Sequence, residues 1–116
     1  MKRRHRLSRS RDFDAVYRQG RSVSTRLLTL HWFAREDDPD GPPRVGLAIP
    51  RAVGTAVARN RLKRQLRAVW SQLAGEAPRG RDYVLAARPG LADAVSSRGH
   101  EWLVEQVREV LGKVPA

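Results

Sequence analysis

Apolar positions along the chain switch between helical and strand spacing, and each switch marks an element. Ser10 can cap a helix over Arg11 to Gln19, with Asp12 in the first turn, where the dipole favours a carboxylate, and Gly20 as its stop. Over Val23 to Ala34, Leu28, Leu30 and Trp32 alternate with Thr29, His31 and Phe33, which predicts a strand. Glu36 to Pro43 gathers four acids, three prolines and a glycine, a solvated connection. It leads into a second strand, Arg44 to Ile49, where Val45, Leu47 and Ile49 point one way and only Gly46 and Ala48 the other. Pro50 stops that ladder, and Gly54-Thr55 supplies a turn and an N-cap. A helix follows from Ala56 to Leu73, ended by Gly75 and Pro78, with Ala58, Leu62, Leu66, Val69 and Leu73 as its apolar stripe. Tyr83 to Ala87 reads as a short buried third strand, and Trp102, Leu103, Val107, Val110 and Leu111 give a final amphipathic helix over Arg98 to Leu111. The order α, β, β, α, β, α predicts an α+β two-layer sandwich with helices over a small sheet.

Composition sets the scale of that picture. With 116 residues, 41% of them hydrophobic, the chain can build the core of one domain, placed at residues 9–113 behind a basic flexible tail at 1–8. No apolar run approaches the ~18 residues of a spanning helix. Met1 to Arg6 is not followed by the apolar stretch and cleavage site of a signal peptide, so a cytoplasmic protein is expected. The absence of cysteine excludes disulfides, thiolate nucleophiles and zinc knuckles.

Charge changes the picture most. The net charge is +11, and from Arg44 to Gly75 there are seven Lys/Arg and no Asp or Glu. Five of those cations fall in the run Arg59-Asn60-Arg61-Leu62-Lys63-Arg64-Gln65-Leu66-Arg67. On a helix they fan around the surface left by the apolar stripe. Solvated helices ordinarily mix signs to gain i,i+4 pairs, whereas the Arg59/Lys63 and Lys63/Arg67 repulsions each cost about 0.2–0.5 kcal/mol. A polyanion reverses that cost, so Arg59, Arg61, Lys63, Arg64 and Arg67, with Arg51 beside them, are assigned to phosphates, and Asn60 to a base edge or 2′-hydroxyl.

Phe13 and Tyr17 lie at i,i+4 on the first helix, a spacing that serves core packing or a stacking platform for unpaired bases, and His31 can join such a platform. Were the bare Gly46/Ala48 face to lie between the first helix and the basic helix, the three elements would enclose a groove, one wall stacking and the other binding phosphate. His5, His31 and His100 are too scattered to hold a metal, and no pair of carboxylates is placed for acid/base or two-metal work. Hence no protein active site is expected.

The stretch Arg44-Val45-Gly46-Leu47-Ala48-Ile49, and then Gly54 to Arg67 with its Arg59-Asn60-Arg61 core, resembles the protein subunit of bacterial ribonuclease P. Arg6-Leu7, Asp12-Phe13, Val16-Tyr17, Gly20, Ser22, Arg26, Asp82-Tyr83 and Arg88-Pro89 extend the likeness over residues 5 to 112. The resemblance implies that a catalytic RNA, with its magnesium ions, hydrolyses precursor tRNA to free the mature 5′ end. The protein, binding no cofactor itself, assists that RNA. It places Arg59 to Arg67 against the RNA subunit and Phe13, Tyr17 and His31, with Gly46 and Ala48, in a cleft for the single-stranded 5′ leader. It also implies a left-handed β-α-β crossover, contrary to the usual hand. Two departures stand out: His31 where an aromatic such as tyrosine can stand, and Pro50-Arg51-Ala52 where many relatives carry consecutive lysines. The partners implied are the catalytic RNA and precursor tRNA, with no membrane and no obligate protein partner. A structural RNA-binding protein of the ribosomal-protein type is the alternative, and an anionic-membrane surface protein a third class.

Overall fold

The computed structural model describes residues 20–115. The tail and the helix expected over Arg11 to Gln19, with Phe13 and Tyr17, lie outside the described residues. Within them the order is β1 (Arg21–Ser24), β2 (Leu28–Ala34), β3 (Arg44–Ala48), α1 (Ala56–Leu73), β4 (Arg81–Ala87), α2 (Leu91–Arg98) and α3 (His100–Gly112). The strands form one sheet in the order β1-β2-β4-β3, antiparallel except for the parallel pair β3/β4 that α1 connects. This is the expected α+β arrangement with a small mixed sheet.

Three elements depart from expectation. The single strand read over Val23 to Ala34 is a hairpin, broken at Thr25-Arg26-Leu27, where the Thr25 amide donates to the Leu28 carbonyl at 2.8 Å. No Gly, Asn or Pro announces that turn, so alternation ran through it. The third strand starts at Arg81 rather than Tyr83 and is the inner strand between β2 and β3. The region before the last helix holds an additional helix, α2, whose buried Leu91 and Val95 sit at i,i+4, and α3 begins at His100. Gly99, at φ 90, turns the chain between the two, a conformation only glycine adopts without strain.

Sheet register sorts the side chains into two faces. Val23, Leu30, Leu85 and Leu47 make one row on the core face, and Trp32, Tyr83 and Val45 continue the next. Against this face pack Leu62, Leu66, Val69, Trp70 and Leu73 of α1 and Leu103, Val107, Val110 and Leu111 of α3. Trp70 widens the α1 stripe and meets Tyr83 with ring centroids 5.2 Å apart and planes inclined at 52°. The Thr55 hydroxyl caps α1 by accepting from the Ala58 amide at 3.1 Å.

At the start of β4, Gly80 holds the acidic connection. Its φ is +73, a Cβ there would collide with the Pro39 carbonyl, and its amide donates to Gly41 O at 2.8 Å. Nearby, the buried Tyr83 hydroxyl donates to Pro78 O at 2.8 Å. Burial pushes the Tyr83 hydroxyl up to about 12, with Arg81 opposing only in part. Because the unfolded phenol ionises near 10 and the folded one near 12, stability from this group is complete below pH 10 and declines as pH rises between those values. The loss should reach roughly 2–3 kcal/mol at ~1.4 kcal/mol per pH unit. Urea titrations of wild type and Tyr83→Phe at pH 8, 10 and 11.5 check this; their difference should narrow as pH rises, and a constant difference rejects the assignment.

Candidate nucleic-acid interface

Helix α1 positions its cations by elementary geometry. At 100° per residue, the stripe from Leu62 to Leu73 commits one side to the core, and Arg59, Lys63, Arg67, Asn60, Arg64 and Arg61 follow one another over an arc of about 200° on the rest. Asn60, Arg61 and Arg64 are exposed, whereas Arg59, Lys63 and Arg67 are half-buried. From Arg59 to Arg67 the face is about 12 Å long. Among the described residues no ion pair engages any of these five cations; the pairs present belong to Arg35, Arg44 and Arg108. Among the described residues the buried Arg59 Nε has no hydrogen-bond partner. Arg51 is exposed in the 3-10 turn Arg51–Val53 that leads into α1.

Positive and negative charge are separated along the strands. The connection carrying Glu36, Asp37, Asp38 and Asp40 joins the end of β2 to the start of β3, and α1 begins beyond the other end of β3. There the acids are answered locally, since Arg35 reaches Asp37 at 3.4 Å and Asp38 at 3.7 Å. The first two thirds of α1 therefore presents cations with no nearby acidic loop to screen them.

The second predicted region is the other face of the sheet. Ser22, His31, Val84 and Gly46 form one row across the four strands, and Ser24, Thr29, Ala86 and Ala48 form the next. His31 and Gly46 thus flank Val84, each about 5 Å from it. Val84 is fully buried and packs against Phe33 and Ala48. Burial lowers the His31 pKa below its ordinary 6.5, so at neutral pH the ring is an uncharged imidazole. The structure brings His31, Gly46 and Ala48 together, but α1 packs on the opposite face, with Val45 and Ile49. A groove walled by α1 and floored by Gly46/Ala48 is not formed, because strand alternation turns those two residues away from the helix that follows them.

Reading the sequence alone missed the contribution of Phe33 and Val84 to this face. Phe33 was visible in the alternation with His31, whereas Val84 lay in an apolar run whose two sides only the register separates. A cleft of about 390 Å3 at the Ala34 end of β2 adds Arg21 and Arg81 beside Phe33. Neither belongs to the Arg59 to Arg67 run, and no spacing in the sequence links the two. Among the described residues no helix is long and apolar enough to cross a membrane. An apolar surface helix is also missing there: the α1 stripe is buried, and Val57 is the only large hydrophobic exposed.

Comparison with known proteins agrees with this arrangement. The family described as Ribonuclease P matches residues 1–114. The chain is 43% identical over 96 residues to the ribonuclease P protein component of Rhodococcus opacus strain B4, covering 79% of this chain and 77% of that one. To the corresponding component of Bacillus cereus strain B4264 it is 34% identical over 93 residues, covering 80% and 79%. In fold it is similar to the RNase P protein from Thermotoga maritima, with a TM-score of 0.84 at 24% identity over 96% of this chain and 98% of that one. The Staphylococcus aureus RNase P protein gives a TM-score of 0.78 at 23% identity, with 93% of each chain covered. By the extent of the family match and the identity to these components, the chain belongs to the ribonuclease P protein family, the protein component of an RNA-containing endoribonuclease.

Proposed function

We propose that this chain binds the catalytic RNA of ribonuclease P through α1 and receives the 5′ leader of precursor tRNA on the sheet face that carries His31. The observation that carries the reading is the α1 surface itself: five cations on a helix whose apolar side is buried, with no acidic partner among the described residues. Arg59, Arg61, Lys63, Arg64, Arg67 and Arg51 meet phosphates, and Asn60 a base edge or 2′-hydroxyl. Phe13, Tyr17 and His31 are assigned to stacking on leader bases, and the small Gly46 and Ala48 to the same leader surface. The hydrolytic chemistry is that of the RNA and its magnesium ions; the protein binds and orients. By neutralising phosphates it lowers the magnesium concentration the RNA needs.

Reconstitution with a bacterial ribonuclease P RNA at low magnesium tests this. Cleavage of precursor tRNA should rise on adding the chain, and the chain alone should cleave nothing. Tight RNA binding without any rise in cleavage would favour a purely structural RNA-binding protein. The leader surface has its own check. Phe13→Ala or Tyr17→Ala should weaken binding of leader-bearing precursor by about 1–3 kcal/mol, the usual range for one lost stack, and leave mature tRNA unaffected. Equal losses for both ligands would assign these aromatics to the core.

A further inference from the structure

Between α1 and α2 runs a groove of about 350 Å3 whose polar wall is Arg61, Gln65, Asp93 and Ser96 and whose floor includes Leu62 and Val95. The floor is buried, with Leu62 1% and Val95 3% exposed, while Arg61, Asp93 and Ser96 stand in solvent. Among the described residues no hydrogen bond or ion pair engages the side chains of Arg61, Gln65, Asp93 or Ser96. The groove is large enough for a nucleobase: the half-exposed Ala58 and Ala92, above the buried Leu62 and Val95, offer an apolar surface to its face, and the polar groups meet its edge.

Asp93 is the informative residue. It is the one carboxylate lining a groove whose other border is the α1 cationic surface. A carboxylate beside phosphate-binding arginines repels the phosphates they attract, and so weakens RNA binding unless it receives hydrogen bonds from the RNA. Of the four bases only guanine offers two adjacent donors on its Watson–Crick edge, N1–H and N2–H2, matching the two oxygens of a carboxylate. Adenine, cytosine and uracil each place an acceptor next to the donor, and that acceptor would face a negative oxygen. We propose that the α1–α2 groove binds one unpaired guanosine nucleotide of the partner RNA, Asp93 accepting from N1–H and N2–H2 and Arg61 holding the phosphate. Gln65 can donate to O6. The proposal rests on the reading of α1 as the RNA-binding face.

The test exploits a difference of sign. If Asp93 only complements the dipole at the start of α2, Asp93→Ala removes a repulsive charge, and affinity for a bacterial ribonuclease P RNA stays the same or rises while the melting temperature falls. If Asp93 reads guanine, both Asp93→Ala and the isosteric Asp93→Asn lower that affinity by on the order of tenfold, and Asp93→Asn does so with the fold intact, its melting temperature falling by no more than that of Asp93→Ala. NMR titration of the full chain with 5′-GMP, 5′-AMP and 5′-CMP gives a second readout. GMP alone should shift the amides of residues 61, 65, 93 and 96, and Asp93→Asn should abolish the selectivity. Equal shifts from all three nucleotides, or unchanged or tighter RNA binding by both variants, overturns the proposal. Arg59→Gln/Arg67→Gln leaves the groove intact, so wild-type RNA affinity in that variant would sink the reading of α1 while the guanine site still answers to the GMP titration.

Discussion

Replacing Arg59, Arg61 and Arg67 together with glutamine should lower affinity for a ribonuclease P RNA by roughly 100- to 500-fold at 0.1 M salt. Each phosphate contact contributes about 0.7–0.9 to the slope of log K against log salt, and at 0.1 M three contacts amount to about 2.1–2.7 log units. The wild-type slope, with about five to seven contacts, should lie near −4 to −6, and the variant's should be shallower by about 2 to 3. Free-protein stability should move little or rise slightly. The substitution relieves like-charge repulsion along α1 and removes the buried, unpartnered Arg59 Nε. Filter binding over a salt series, paired with thermal unfolding, checks both halves. A wild-type slope shallower than about −2, or a sharp fall in melting temperature, would return these arginines to a structural role.

The largest expected effect on stability is at Asp82, far from that face. The residue is 4% exposed, and its carboxylate accepts from Arg44 Nε and Nη2 at 2.7 Å each, with Arg35 Nε 3.7 Å from Oδ1. Arg44 and Asp82 stand opposite each other in the parallel β3/β4 register, so the fork joins two strands separated in the chain by α1 and its flanking turns, residues 49–80. Asp82→Ala should cost about 3–5 kcal/mol, because it leaves the Arg44 guanidinium in a partly dry site without the carboxylate that compensates its desolvation, and Arg35 with only Asp37 and Asp38. Against a typical total of about 5–15 kcal/mol this is a severe loss. Asp82→Asn, which keeps an acceptor, should lose less. Urea midpoints at unchanged m measure the difference, and a loss below about 1 kcal/mol for the alanine variant would mean that water replaces the network at no cost. RNA affinity per folded molecule should be untouched, since α1 presents its cations from the other end of β3.

Local chemistry made much of the molecule legible in advance. The 3.6-residue stripe, the Thr55 cap and the same-sign run fixed α1 and its two sides. Each acts within one or two turns of the chain, the range over which sequence spacing translates directly into geometry. The alternation of Leu28, Leu30 and Trp32 defined the buried side of β2 for the same reason, and the Arg59-Asn60-Arg61 motif carried the family resemblance. Sequence was silent where a pairing partner or a burying neighbour decided the outcome. The hairpin break at Thr25 to Leu27 has no turn signature. The eight-residue α2 is too short to hold as an isolated helix and exists because Leu91 and Val95 are buried. The insertion of β4 between β2 and β3 depends on contacts far apart in the chain, and with it came the Arg44–Asp82 fork, the row that sets His31 beside Val84 and Gly46, and the α1–α2 groove that places Asp93 near Arg61. The tertiary structure alone turned the Gly46/Ala48 face away from α1: alternation told which residues share a side of a strand, but only packing of the apolar stripes decided which side of the sheet the helices cover.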